Sequence, residues 1–275
     1  IIDLVRQHDI KHVFMCGDLL PKDGGSWHPE NTVRTIAMQA AFINDYFVDY
    51  LTRLVNITNV YAIFGNDDFI ANYHLVKQRA IPNVTFLKNQ VVKLVDDHYD
   101  LSVAGYPYVG VTPFLHKDWE RWDETPGVLP HKIHRTDGYI SEGHEHLPVD
   151  LKDDRRTIAA DLEQLATLSD PSRTIYVCHE APFDTPLDQI SLANKYIDGE
   201  QVHIGSHAMR QFIESRQPFM TMHGHIHETF AESGDFMWRC GKSVSVTAAN
   251  DFSSETLSYV LFSLGAPADA RRLQL

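Results

Sequence analysis

The chain has 275 residues, 43% of them hydrophobic, with a formal net charge of −13 and a pI near 5.6. That length and apolar content suit one large domain or two small ones with a full core. The negative charge argues against nonspecific attraction to nucleic acid or to an anionic membrane, although a bound cation would still draw a phosphate locally.

The chain opens on "IIDLVRQHDI", which reads as helix interior, with Ile1 rather than Met in first place, so further sequence is expected upstream. "HVFMCGD" follows, His12 to Asp18, an apolar strand that ends in polar residues. Ile36, Ala40, Ile43, Phe47, Leu51 and Leu54 recur at steps of three and four and predict a helix. "VYAIFGNDD", Val60 to Asp68, is a second strand with a polar end. "VVKLV" and "LSVAG" predict strands with no helix between them. Gly110 to Pro148, rich in Trp, His, Pro and Asp, shows no period and is expected to be a long loop.

Ile158, Leu162 and Leu165 mark another helix, and "TIYVCHE", Thr174 to Glu180, another strand. Met209, Phe212 and Ile213 predict a helix with Ser206 as its N-cap. "FMTMHGHIH" runs from Phe219 to His227, and "FMWRC", "KSVSVTA" and "LSYVLFSL" complete the strands of a second, mixed or antiparallel sheet. The tail "GAPADARRLQL" is expected to fray. The expected organisation is a single domain over 1–265 with an insertion at about 110–150, then a tail over 266–275. No apolar run reaches membrane-spanning length. Cys16, Cys178 and Cys240 are too sparse for a disulfide framework, so a reducing, cytoplasmic setting is the simpler expectation.

Chemistry gathers at the strand ends, where open α/β sheets carry their sites. Asp18, Asn66, His179, His225 and His227 are all oxygen or imidazole donors. Such a set suits Mn, Fe, Zn or Ni. Two ions sharing a carboxylate would bring the pKa of a bridging water to roughly 7 and clamp an in-line displacement at phosphorus.

The ordered motifs Gly17-Asp18, Gly65-Asn66-Asp67-Asp68, His179 and Gly224-His225-Ile226-His227 resemble those of the calcineurin-like metallophosphoesterase superfamily, across nearly the whole chain. The resemblance implies an α/β, four-layer sandwich of two mixed β-sheets flanked by helices. It implies hydrolysis of a small phosphate ester, a phosphodiester or nucleotide-like substrate, by a metal-bridging hydroxide. Asp18 would bridge two divalent ions, with manganese the first choice. Asn66, His179 and His225 would complete one site, and His227 would ligate the other. Catalytic duty would fall on Asp18, Asn66, Asp67 and His179.

Two departures stand out. The superfamily opens on a strand ending in D-x-H, which the resemblance places just upstream of Ile1; the first strand is thus expected to be missing here. Asp67 stands where many members carry a His that stabilises the transition state or protonates the leaving group. Diesters, or esters with good leaving groups, are therefore expected over ordinary monoesters. The rival reading is a catalytically weak or dead scaffold of the same fold. An extended nucleic-acid partner and a membrane partner are not expected.

Blander readings cover other residues. His223 shares a strand face with His225 and is expected to support the site rather than ligate. Gly143-His144-Glu145-His146 repeats the G-H-x-H pattern but follows no apolar strand, so a solvated loop is expected, with a lid over the site or a surrogate ligand as the alternatives. Trp119 and Trp122 are read as core packing, and Cys16 and Cys178 as small strand hydrophobes. Glu180, Asp184 and Asp188 are read as turn and cap residues or as contacts near the site. Asn250 is read as closing the second sheet near it.

Overall fold

The computed structural model describes residues 1–22, 29–128, 135–192, 202–250 and 254–275. Helix α1, Ile2–His8, leads into strand β1, His12–Cys16. The period-3.6 stripe forms α2, Pro29–Phe42, and α3, Val48–Leu54, joined through a π-helical turn at Ile43–Phe47. Strand β2, Asn59–Ile63, helix α4, Tyr73–Gln78, and strand β3, Val84–Phe86, follow. These strands form a three-stranded sheet, β1-β2-β3, with both pairings parallel.

Strands β4, Gln90–Lys93, and β5, Ser102–Tyr106, belong to the other large sheet. The insertion carries a hairpin of β6, Asp137–Glu142, and β7, Glu145–Asp150. Helix α5, Ile158–Leu168, precedes β8, Thr174–Cys178; helix α6, His207–Arg216, precedes β9, Met220–His223. Helix α7, Thr229–Ser233, leads to β10, Met237–Cys240, and β11, Ser243–Thr247. The sheet order is β10-β11-β9-β8-β5-β4, parallel through β11, β9, β8 and β5 and antiparallel at both edges. Strands β12, Ser258–Ser263, and β13, Ala266–Gln274, form a separate hairpin.

The architecture is a mixed α/β sandwich, and the period of two along each strand explains it. Val60, Ala62 and Phe64 of one sheet, and Ala104, Tyr106, Tyr176 and Cys178 of the other, pack with helix residues such as Leu51, Leu54, Leu162 and Phe212. Their alternates Tyr61, Ile63, Val103, Ile175 and Val177 form a second core with Met222 and Val246. With both faces covered, the central strands read as continuous apolar runs.

Four expectations are corrected. The first sheet is wholly parallel rather than mixed, because each of its connections runs through a helix. "VVKLV", "LSVAG", "FMWRC" and "KSVSVTA" do share one mixed sheet, but "LSYVLFSL" is not part of it and forms β12 of the separate hairpin. The tail does not fray: β13 pairs with β12, and Ala268 and Ala270 join the second core. Gly143 to His146 is the turn and first residues of an antiparallel hairpin rather than a loop. Part of the 110–150 stretch, residues 129–134, lies outside the described residues. Among the described residues no helix is long and apolar enough to cross a membrane.

Candidate metal centre

The parallel strands β1, β2, β8, β9 and β11 bring their C-terminal ends together, and each releases polar residues there. Cys16 lies beside Ile63 in register, and Thr247 beside His223. The turns are tight. Gly17 and Asp18 both have left-handed backbone, with φ of 96° and 54°, and His225 has φ of 66°. Left-handed backbone on an Asp and a His is strain of the kind held at functional sites. Gly65 leaves no room for a side chain: a Cβ there would lie 2.3 Å from Asp18 Oδ1 and 2.5 Å from His179 Cε1.

Four of the expected side chains meet here, three of them at one atom, the Asn66 Oδ1. Asn66 Oδ1 lies 2.9 Å from His179 Nε2 and 2.7 Å from His225 Nδ1. Asp18 Oδ2 lies 3.2 Å from His179 Nε2, and Asp18 Oδ1 accepts the Asp67 N–H at 2.9 Å. His227 stands beside this group: its Nδ1 donates to the Asn250 carbonyl at 2.6 Å, and its charge acts on Asp18. Asn250 also exchanges hydrogen bonds with Ser258 of β12, fixing the end of β11.

Donor chemistry tests whether this set suits a cation. His179 Nδ1 lies 2.6 Å from the Cys16 carbonyl, which can only accept, so Nδ1 carries a proton. Nε2 of the neutral ring is then a lone pair aimed at two further acceptors, Asn66 Oδ1 and Asp18 Oδ2. Only a proton or a cation on Nε2 reconciles the three. Without a cation, burial would lower the His179 pKa, but the charge and contact of Asp18 outweigh it and raise it to about 9. The same contact holds Asp18 far below the usual carboxylate range despite its burial. A divalent ion would satisfy the arrangement as a proton does, and a carbonyl-anchored Nδ1–H, as on His179 and His227, is the usual support of a ligating imidazole. Among the described residues no group of three His, Cys, Asp or Glu forms a metal site by itself; the shared point here is the amide oxygen of Asn66.

His223 lies outside the ligand group. Its Nδ1 donates to the Glu180 carbonyl at 2.6 Å and its Nε2 meets Thr221 Oγ1 at 2.7 Å, so both nitrogens are engaged. Burial pushes its pKa down to about 4, leaving a neutral ring that ties β9 to the loop after β8. Glu180 turns its carboxylate to the N–H groups of Gly110 and Ala181, Asp184 pairs with Arg210, and Asp188 accepts from three loop N–H groups. These acids organise loops. Burial pushes the Cys16 thiol up to about 12 and that of Cys178 well above the ordinary value, so neither offers a thiolate.

Sequence reasoning gave no role to two charged residues here, Asp68 of the quoted motif and Lys22. Asp68 is fully buried and receives the N–H groups of Gly65, Leu19 and Leu20, which locks the loop after β2 onto the loop after β1. Burial and the charge of Asp18 push its pKa up to about 7. Lys22 pairs with the Asp67 carboxylate, and the charge of Asp18 also acts on it. Asp67 is thus not a lone anion. No local pattern in "LLPK" marks Lys22; only the fold carries it to Asp67.

The site opens at one end of a cleft of about 470 Å³, lined among others by Phe14, Cys16, Asp18, His225, Tyr259 and Leu261. The cleft follows β1, which among the described residues pairs on one side only and is half-buried throughout.

No protein-family model matches the sequence, and no curated protein matches it. One solved structure superposes on 99% of this chain and 91% of its own, with a TM-score of 0.60 at 13% identity. A likeness at that identity speaks to the fold alone. The sulfate thiohydrolase SoxB of Thermus thermophilus, solved in complex with glycerol, overlaps 84% of this chain and 35% of its own at 14% identity. Its TM-score of 0.36 carries no argument.

Proposed function

We propose that this chain hydrolyses a small phosphate ester, a phosphodiester or nucleotide-like molecule, with the help of two divalent ions. One observation carries the reading: Asn66 Oδ1 sits between His179 and His225, beside Asp18, at the ends of parallel strands. The order of motifs shared with the calcineurin-like metallophosphoesterases supports it. Asp18 would stand between the ions, Asn66, His179 and His225 would hold one, and His227 would serve the other. When bound, the ions, manganese first among Mn, Fe, Zn and Ni, supply Lewis acidity toward phosphoryl oxygens and an acidified water.

The chain's own residues do the positioning. The Cys16 carbonyl fixes the His179 ring so that Nε2 points inward. The Asp67 N–H holds one oxygen of Asp18 and leaves the other to the site. Lys22 neutralises Asp67, so the pair does not repel an approaching phosphate.

The scaffold reading is favoured by one observation, the lack of three convergent His, Cys, Asp or Glu among the described residues. Elemental analysis after incubation with Mn²⁺, followed by turnover of bis(4-nitrophenyl) phosphate, separates the two. Bound manganese with turnover abolished in Asp18→Asn supports the hydrolase. Neither binding nor turnover supports the scaffold.

A further inference from the structure

Asp67, which stands where the resemblance places a leaving-group His, is tied to Lys22. The insertion carries another candidate proton donor. His116 lies against Phe69, two residues beyond Asp67, with ring centroids 4.1 Å apart and planes tilted by 32°. Its Nε2 approaches Asp118 Oδ2 to 2.7 Å, a close ion-pair contact rather than a well-aligned hydrogen bond. Asp118 is itself fixed by the N–H of Ile70 at 2.8 Å, the N–H of Ser141 at 2.6 Å and Ser141 Oγ at 2.5 Å. An imidazole oriented by an anchored carboxylate is the usual construction of an acid–base pair. With Nε2 committed to Asp118, Nδ1 is the nitrogen left to exchange protons. The His116 side chain keeps 14% of its surface exposed, so it is neither sealed in the core nor free in solvent.

Resting on the phosphoesterase reading above, we infer that His116 protonates the leaving oxygen, a catalytic residue supplied by the insertion instead of by the strand ends. As the water oxygen bonds to phosphorus, the bond from phosphorus to the ester oxygen breaks with its electron pair on that oxygen. The proton on His116 Nδ1 neutralises it. The imidazole recovers a proton from solvent, and the attacking water gives one up. The electrostatics agree: burial would lower the His116 pKa, but Asp118, with Asp67 and Glu120 behind it, raises it. The contact with Asp118 thus favours the charged, proton-bearing ring. The expected demand for good leaving groups is relaxed accordingly.

The test compares manganese-loaded wild type and His116→Gln on 4-nitrophenyl methyl phosphate and phenyl methyl phosphate, which differ only in the leaving phenol. The variant should lose about 100-fold in kcat on the phenyl ester, in the range of general acid catalysis, and under about fivefold on the nitrophenyl ester. Added imidazole should restore the phenyl activity of His116→Gly. In the metal-free protein, the His116 ring signal should titrate above the ordinary histidine range by NMR. Equal losses on both esters, no loss on either, or a ring that titrates below that range would overturn the inference alone. Wild type inactive on both esters would remove the phosphoesterase reading, and this one with it.

Discussion

Two Gly-His-x-His stretches stand in this chain, Gly143 to His146 and Gly224 to His227, and they differ in everything except sequence. The first turns an antiparallel hairpin at the surface: His144 is exposed, and His146 rests edge-on against Tyr139, ring centroids 4.8 Å apart. The second follows a buried parallel strand, and the ends of β1, β2 and β8 bring Asp18, Asn66 and His179 to it. A hairpin turn meets only its own strands, whereas the end of a central parallel strand is surrounded by the ends of its neighbours. The difference shows that a short motif gains chemistry from what other strands deliver to it.

The largest expected effect separates the two stretches directly. His225→Ala should cut turnover by about 10³-fold, on the scale of losing a group that acts in the transition state, and lower bound manganese. His144→Ala and His146→Ala should leave both within twofold. Steady-state kinetics and elemental analysis of the three variants check this; equal losses at both stretches would erase the contrast.

The glycines sharpen it through stability. Gly65→Ala places a Cβ 2.3 Å from Asp18 Oδ1, so the loop must shift, and a loss of about 2–4 kcal/mol is expected in denaturant unfolding. Gly143→Ala has nothing within 4 Å and costs only the strain of φ 59°, about 1 kcal/mol.

The insertion joins the contrast from the other side, because part of it grips the site loop. Trp119, 1% exposed, donates its Nε1–H to the Asp68 carbonyl at 2.6 Å. Trp119→Phe should cost about 1–2 kcal/mol for that buried carbonyl and raise amide exchange in Gly65–Asp68 before it affects β6 and β7.

The smallest effect is a pH dependence. His116 has a folded pKa raised above 6.5, so it binds its proton more tightly in the folded protein than in the unfolded chain. Its stabilisation is complete below 6.5 and is lost as pH rises through the folded value. The Tm deficit of His116→Gln should therefore be largest near pH 6 and shrink as the pH rises above the folded value. A deficit that grows with pH would contradict the ion pair with Asp118.

Much of the fold was legible because burial imposes its period on the chain. The stripe from Ile36 to Leu54 gave the α2–α3 helix, and Ser206 caps α6 by accepting the Met209 N–H, as its position suggested. Other parts were hidden for stated reasons. "ADARRLQ" carries charges on its outward face and looks like a loose tail, yet Ala268 and Ala270 turn inward once β12 pairs with it. Trp119 was read as packing, which it is, but its bond to Asp68 joins residues far apart in sequence.

By itself the sequence determined the short apolar strands, the polar residues that end them and hence the candidates Asp18, Asn66, His179, His225 and His227, because strand burial and donor chemistry are local properties. The tertiary structure decided which candidates share an atom, that His223 has no nitrogen to spare, and that Lys22 pairs with Asp67 while the charge of His116 also acts on it. Those facts depend on register and on loops that cross between sheets, where a shift of a few ångströms makes or breaks a hydrogen bond, and no local pattern encodes a distance of that kind.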